Sequence, residues 1–128
     1  MSHTQKILGL TGLLAVLAMA PACDSSTSRQ SARAQATSLT CERYDMCSLI
    51  GPGGTYPDHE TCEIAWQATW DGRWPAADCD GKINQAQFET CLAAIRSTNC
   101  MGFDFVGTFL KCDKSLVCAA APPADGGQ

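Results

Sequence analysis

Between residues 40 and 118, apolar positions recur at helical spacing in four stretches, separated by short polar or glycine-rich breaks. The first predicted helix runs from Thr40 to Ile50, with Cys41, Tyr44 and Cys47 toward one side, and Gly51-Pro52-Gly53-Gly54 stops it. The second starts at Asp58 as N-cap and carries Cys62, Ala65, Trp66, Thr69 and Trp70 at i, i+3, i+4, i+7 and i+8, with Gly72 and Pro75 marking its end. The third has Asn84 and Gln87 as a capping box and Ile83 with Phe88 as a hydrophobic staple; Phe88, Cys91, Leu92 and Ile95 then fill one face. The fourth starts near Asp104 and presents Phe105, Phe109, Cys112 and Leu116. No segment shows convincing strand alternation, so the expected fold is all-α, a small bundle of about four short helices.

The flanks have a different pattern. Residues 1–22 combine Lys6, an apolar run from Ile7 to Met19 and a small-residue finish, Ala20-Pro21-Ala22. That is the shape of a signal peptide, and the run is shorter than the roughly 20 apolar residues a spanning helix needs. Cys23 follows at once, and Ala20-Pro21-Ala22-Cys23 resembles a bacterial lipobox, in which the cysteine thiol is acylated after cleavage. Residues 24–39 are small and polar and are expected to form a flexible linker; residues 119–128 are expected to form a disordered tail.

Nine cysteines in 128 residues point to an oxidising compartment and a disulfide scaffold, and the parity is informative. If Cys23 carries lipid, Cys41, Cys47, Cys62, Cys79, Cys91, Cys100, Cys112 and Cys118 can form four bridges; without lipid one thiol is left over. Eight cysteines admit too many connectivities for the sequence to choose among them, but a hairpin of the first two helices places Cys47 opposite Cys62. Cys41 and Cys47 point about 120° apart on one helix, as do Cys112 and Cys118, so neither pair is expected to bond to itself. A formal charge of −4 with 17% charged residues argues against a nucleic-acid partner, which requires a basic surface.

Chemistry-bearing patterns are sparse. Asp78 and Asp80 stand where an EF-hand loop would place its third and fifth positions, but Ala76 and Gln87 occupy the first and twelfth, so the pattern lacks its most important carboxylates and no metal or other cofactor is expected. Trp66, Trp70 and Trp74 fall at i, i+4 and i+8: a core stripe if buried, a platform for glycan or peptide partners if exposed. His59 lies in the first turn of the second helix, away from any nucleophile motif, and there is no Cys-x-x-Cys, His-Glu-x-x-His or Gly-x-Ser-x-Gly. The expectation is a protein without catalytic residues.

The spacing of Cys41-Glu42-Arg43-Tyr44, Cys47, Tyr56, Cys62, Cys79 with Gly81-Lys82-Ile83, Cys91-Leu92-Ala93-Ala94-Ile95-Arg96, Cys100, Cys112 and Leu116-Val117-Cys118 resembles a family of small bacterial cysteine-rich lipoproteins of unknown function. Members are sometimes labelled natural product biosynthesis lipoproteins. The resemblance implies a lipid anchor on Cys23 in the inner or outer membrane of a Gram-negative bacterium, facing the periplasm or the cell surface. It carries no catalytic residues over. An envelope protein or a glycan is the expected partner besides the membrane; a secreted disulfide-rich effector or inhibitor is the alternative.

Overall fold

The computed structural model describes residues 26–101 and 105–120. Ser28 starts the first helix, its hydroxyl accepting from the Ser31 N–H at 3.1 Å, and α1 spans Arg29–Met46. The linker expected up to residue 39 is therefore helical from Arg29, which corrects that boundary. Ala32, Ala36 and Thr40 recur every four residues and are fully buried, and the Thr40 hydroxyl donates back to the Ala36 carbonyl at 2.7 Å. A stripe this small allows close approach of neighbouring helices, and α1 packs against both α2 (His59–Arg73) and α4 (Gln85–Arg96). Short segments α3 (Ala76–Cys79), α5 (Val106–Lys111) and α6 (Lys114–Val117) complete the described helices.

Two of the expected helix starts are present as read. The Asp58 carboxylate accepts from the Thr61 N–H at 2.7 Å to start α2, and the Asn84 side chain accepts from the Gln87 N–H at 3.2 Å to start α4. Only half of the expected capping box forms, because the Asn84 N–H donates to the Val117 carbonyl at 2.8 Å and so ties α4 to α6. Between α1 and α2 the chain turns through Ser48 (φ 58°), Gly51 (φ 111°) and Gly53 (φ 82°), and pairs Ile50 with Tyr56 in an isolated bridge.

The fourth predicted helix is broken. Cys112 ends α5, and Asp113 opens α6 by accepting from the Ser115 N–H at 2.9 Å. The break rotates the register, so Leu116, expected on the buried face, is 40% exposed while Val117 is fully buried. Asp104, the expected start, lies outside the described residues. Among the described residues six helical segments thus stand where four were expected, and the class is all-α as read.

Bonds between the elements define the topology. The Cys41–Cys62 bridge and the Arg29 Nε to Trp74 carbonyl hydrogen bond make α1 and α2 antiparallel. Thr27 with Gln85 at one end, and Arg43 Nε to the Thr98 carbonyl (2.6 Å) at the other, make α1 and α4 parallel. The Cys91–Cys112 bridge and the buried Thr98–Thr108 hydroxyl pair (2.9 Å) make α5 antiparallel to α4. The remaining bridges are Cys79–Cys118, which joins α3 to the end of α6, and Cys47–Cys100, which joins the ends of α1 and α4. The expected Cys47–Cys62 bridge is therefore incorrect. The register of the hairpin sets Cys62, in the first turn of α2, opposite Cys41, and Cys47 turns toward the chain beyond α4. Cys41 does not bond to Cys47, nor Cys112 to Cys118, as their directions on a helix require.

Candidate functional site

The tryptophan stripe forms the centre of the core. Trp66 is 6% exposed, and Trp70 and Trp74 are fully buried, which overturns the exposed-platform reading of all three. An aromatic column runs along the bundle: Tyr56 to Tyr44 (ring centroids 5.2 Å apart), Tyr44 to Trp66 (5.8 Å), Trp66 to Trp70 (5.9 Å), Trp70 to Trp74 (4.8 Å) and Trp74 to Phe88 (5.9 Å). Phe105 and Phe109 join it from α5, at 4.9 Å from Trp66 and 6.2 Å from Trp70. The Trp74 indole N–H donates to the Cys112 carbonyl at 2.9 Å, which fixes the base of the column.

The carboxylates singled out by the sequence are engaged in structural pairs. Asp78 pairs with Lys114, and Asp80 lies 4.0 Å from Arg29 Nε; the two do not converge with a third ligand. Among the described residues no group of three or more histidine, cysteine or acidic side chains is placed to hold a metal ion. His59 Nδ1 lies 3.6 Å from Glu63 one turn on, at the surface. Hydrogen bonds from Thr61 hold the Asp58 carboxyl below its ordinary range, the Lys114 ammonium does the same for Asp78, and bonds from Ser115 do so for Asp113. Each is a carboxylate favoured as the anion at a cap or surface pair. None is an acid held protonated for proton transfer. Burial pushes the Tyr44 phenol up to about 12.

The two ends of the bundle carry the surface features. At one end a hollow of about 380 Å³ lies between the start of α1 and the α3–α4 connection, lined by Ser26, Thr27, Ser28, Asp80, Gly81 and Ile83 among others. Beside it, Arg29 and Arg33 both reach Asp71, the latter at 3.0 Å. Toward the other end a groove of about 320 Å³ between α1 and α4 is lined by Leu39, Glu42, Arg43, Met46 and Arg96. Met46 is 73% exposed and Met101 87% exposed, and the Cys47–Cys100 bridge brings together the residues next to them in the chain. The sequence reading picked out none of Leu39, Met46 or Met101. The available signal was the arginines: Arg43 and Arg96 each lie within a motif that carries the resemblance.

The expected signal peptide and Cys23 lie outside the described residues. Among those described, no helix is long and apolar enough to cross a membrane. No curated protein and no solved structure matches the chain significantly. A family model matches residues 41–120, from within α1 to just beyond the last cysteine, and the chain belongs to that family, DUF6184, a family of unknown function.

Proposed function

We propose that this protein is a lipid-anchored component of the bacterial cell envelope whose helical module acts by binding, or as an accessory to other proteins, rather than by catalysis. The observation that carries this reading is the closure of Cys41, Cys47, Cys62, Cys79, Cys91, Cys100, Cys112 and Cys118 into four bridges among themselves. It leaves Cys23 without a partner among the described cysteines. Cys23 is also the residue that directly follows a signal-peptide pattern. A thiol in that place, with no disulfide partner in its own domain, is suited to acylation. The engagement of the carboxylates as caps and ion pairs supports a non-catalytic role. The resemblance adds an association with natural product biosynthesis, in which the module would serve an envelope step of that process.

Replacing Cys23→Ser tests the anchor. The variant is expected in the soluble fraction with unchanged helical circular dichroism, while the natural chain sediments with membranes. A Cys23→Ser chain that stays membrane-bound contradicts the anchor, and a natural chain found free in the medium favours a secreted effector.

A further inference from the structure

We infer that the acylated protein stands directly on its membrane, with the end formed by the starts of α1 and α4 against the lipid headgroups and the Met46–Met101 end facing away. This rests on the lipid anchor proposed above. What it adds is an orientation and a membrane-facing surface.

The stem between Cys23 and the first helix is short. Had the tether run to Thr40, sixteen residues would separate it from Cys23, with a reach of up to about 60 Å over seventeen steps of roughly 3.5 Å, and the domain could tumble freely. With α1 capped at Ser28, only four residues lie between Cys23 and the cap, a reach of at most about 18 Å over the five steps from Cys23 to Ser28. Even this overstates the free length, because Thr27 is hydrogen-bonded to Gln85 at the start of α4. Only Asp24, Ser25 and Ser26 lie between Cys23 and Thr27.

The attachment of α1 to the body is rigid. The first turn of α1 is clamped to the body through Arg29, which pairs with Asp71 and donates from Nε to the Trp74 carbonyl. A pull on the stem therefore acts on the whole bundle rather than peeling off one helix. The Cys79–Cys118 bridge and the Asn84 to Val117 hydrogen bond place the last described residues at the same end as the first.

Surface chemistry agrees with that placement. The end near the stem presents Ser26, Thr27, Gln85 and Lys82, whose hydroxyl, amide and ammonium groups are able to hydrogen-bond to phosphate and glycerol oxygens, beside the Asp78–Lys114 ion pair and the exposed carboxylate of Asp80. Met46 is about 27 Å from the Ser28 cap along α1, at 1.5 Å per residue. The exposed methionines and the groove between Arg43 and Arg96 thus lie on the side a protein approaching the membrane would meet.

Full-length acylated protein in vesicles of phosphatidylethanolamine and phosphatidylglycerol, carrying a photo-crosslinking residue at Lys82 or at Met101, tests the orientation. Flotation of the vesicles reports the anchor separately. The expected result is flotation of both, with lipid adducts at least fivefold more abundant from position 82 than from position 101. Fifteen glycine and serine residues inserted after Ser25 are expected to reduce the adducts at 82 severalfold while flotation stays the same. Flotation with equal adducts at both positions, or with no effect of the insertion, overturns the orientation alone. A chain that does not float overturns the anchor and the orientation with it.

Discussion

The two ends of the bundle are held in different ways. At the end where α1 and α4 begin, Arg29, Arg33 and Asp71 form an ion-pair cluster, Asn84 bonds to Val117, and both cysteines of the Cys79–Cys118 bridge are buried. At the other end the work is done by a loop with Ser48, Gly51 and Gly53 at positive φ, the Arg43 Nε to Thr98 carbonyl hydrogen bond, and the Cys47–Cys100 bridge, whose Cys100 is exposed. The first end is many weak contacts around a sealed bridge, and the second is a few rigid ones around an open bridge. The ion-pair cluster and the sealed bridge thus lie where α1 and α4 begin, while the two most exposed apolar side chains, Met46 and Met101, lie at the opposite end.

The strongest way to break this contrast is at the base of the aromatic column. Trp74→Ala removes a fully buried indole and its bond to the Cys112 carbonyl, and is expected to cost about 3–5 kcal/mol in a guanidinium titration. The bridges are expected to differ next in chemistry. Removing either Cys79–Cys118 or Cys47–Cys100 is expected to cost about 2–4 kcal/mol, but under limiting reductant Cys47 and Cys100 should be alkylated well before any other pair, because a reducing thiolate can reach Cys100. Mass spectrometry of the alkylated peptides checks the order, and early loss of Cys79–Cys118 would refute it.

The two ends also differ at glycine positions, Gly54 in the α1–α2 loop and Gly72 near the end of α2. A Cβ at Gly54 would sit 2.5 Å from the Leu49 carbonyl carbon and oxygen, so Gly54→Ala is expected to cost about 1–3 kcal/mol by crowding the loop. Gly72, near the end of α2, has open space around it, and Gly72→Ala is expected to be neutral or to stabilise by up to about 1 kcal/mol. Thermal melts of the two variants should move apart. The smallest effect is confined to alkaline pH. The Tyr44 phenol titrates near 12 in the fold and near 10 in an unfolded chain, so the folded state retains a proton that the unfolded state has released. Its contribution is intact below about pH 10 and is lost as pH rises toward 12. Tyr44→Phe should lose less stability between pH 9 and pH 11 than the natural chain does.

The sequence made α2 and α4 legible because their starts carry side-chain caps, Asp58 and Asn84, and their buried faces carry large residues at helical spacing. It hid the first half of α1 because the buried positions there are Ala32, Ala36, Thr37 and Thr40, whose small or hydroxyl-bearing side chains do not stand out from a polar tether. The break at Cys112-Asp113 was missed because Phe105, Phe109, Cys112 and Leu116 fit one helical face as well as two short helices do. Cysteine pairing depended on the depth to which α2 is set against α1, which the loop from Cys47 to Asp58 determines and local patterning does not encode. The groove at Arg43 and Arg96 escaped for a related reason, since its walls come from two helices whose parallel arrangement is a tertiary fact.

Eight cysteines close on themselves in four bridges, and the proposed anchor requires Cys23 to stand apart from them. An intact mass of the protein purified from its own membranes, with thiol alkylation before and after reduction, reads both halves of that claim at once. A diacylglyceryl or triacyl adduct on Cys23, with the other eight cysteines alkylated only after reduction, is the expected result. An unacylated Cys23 carrying a free thiol, or additional thiols that react before reduction, would contradict it.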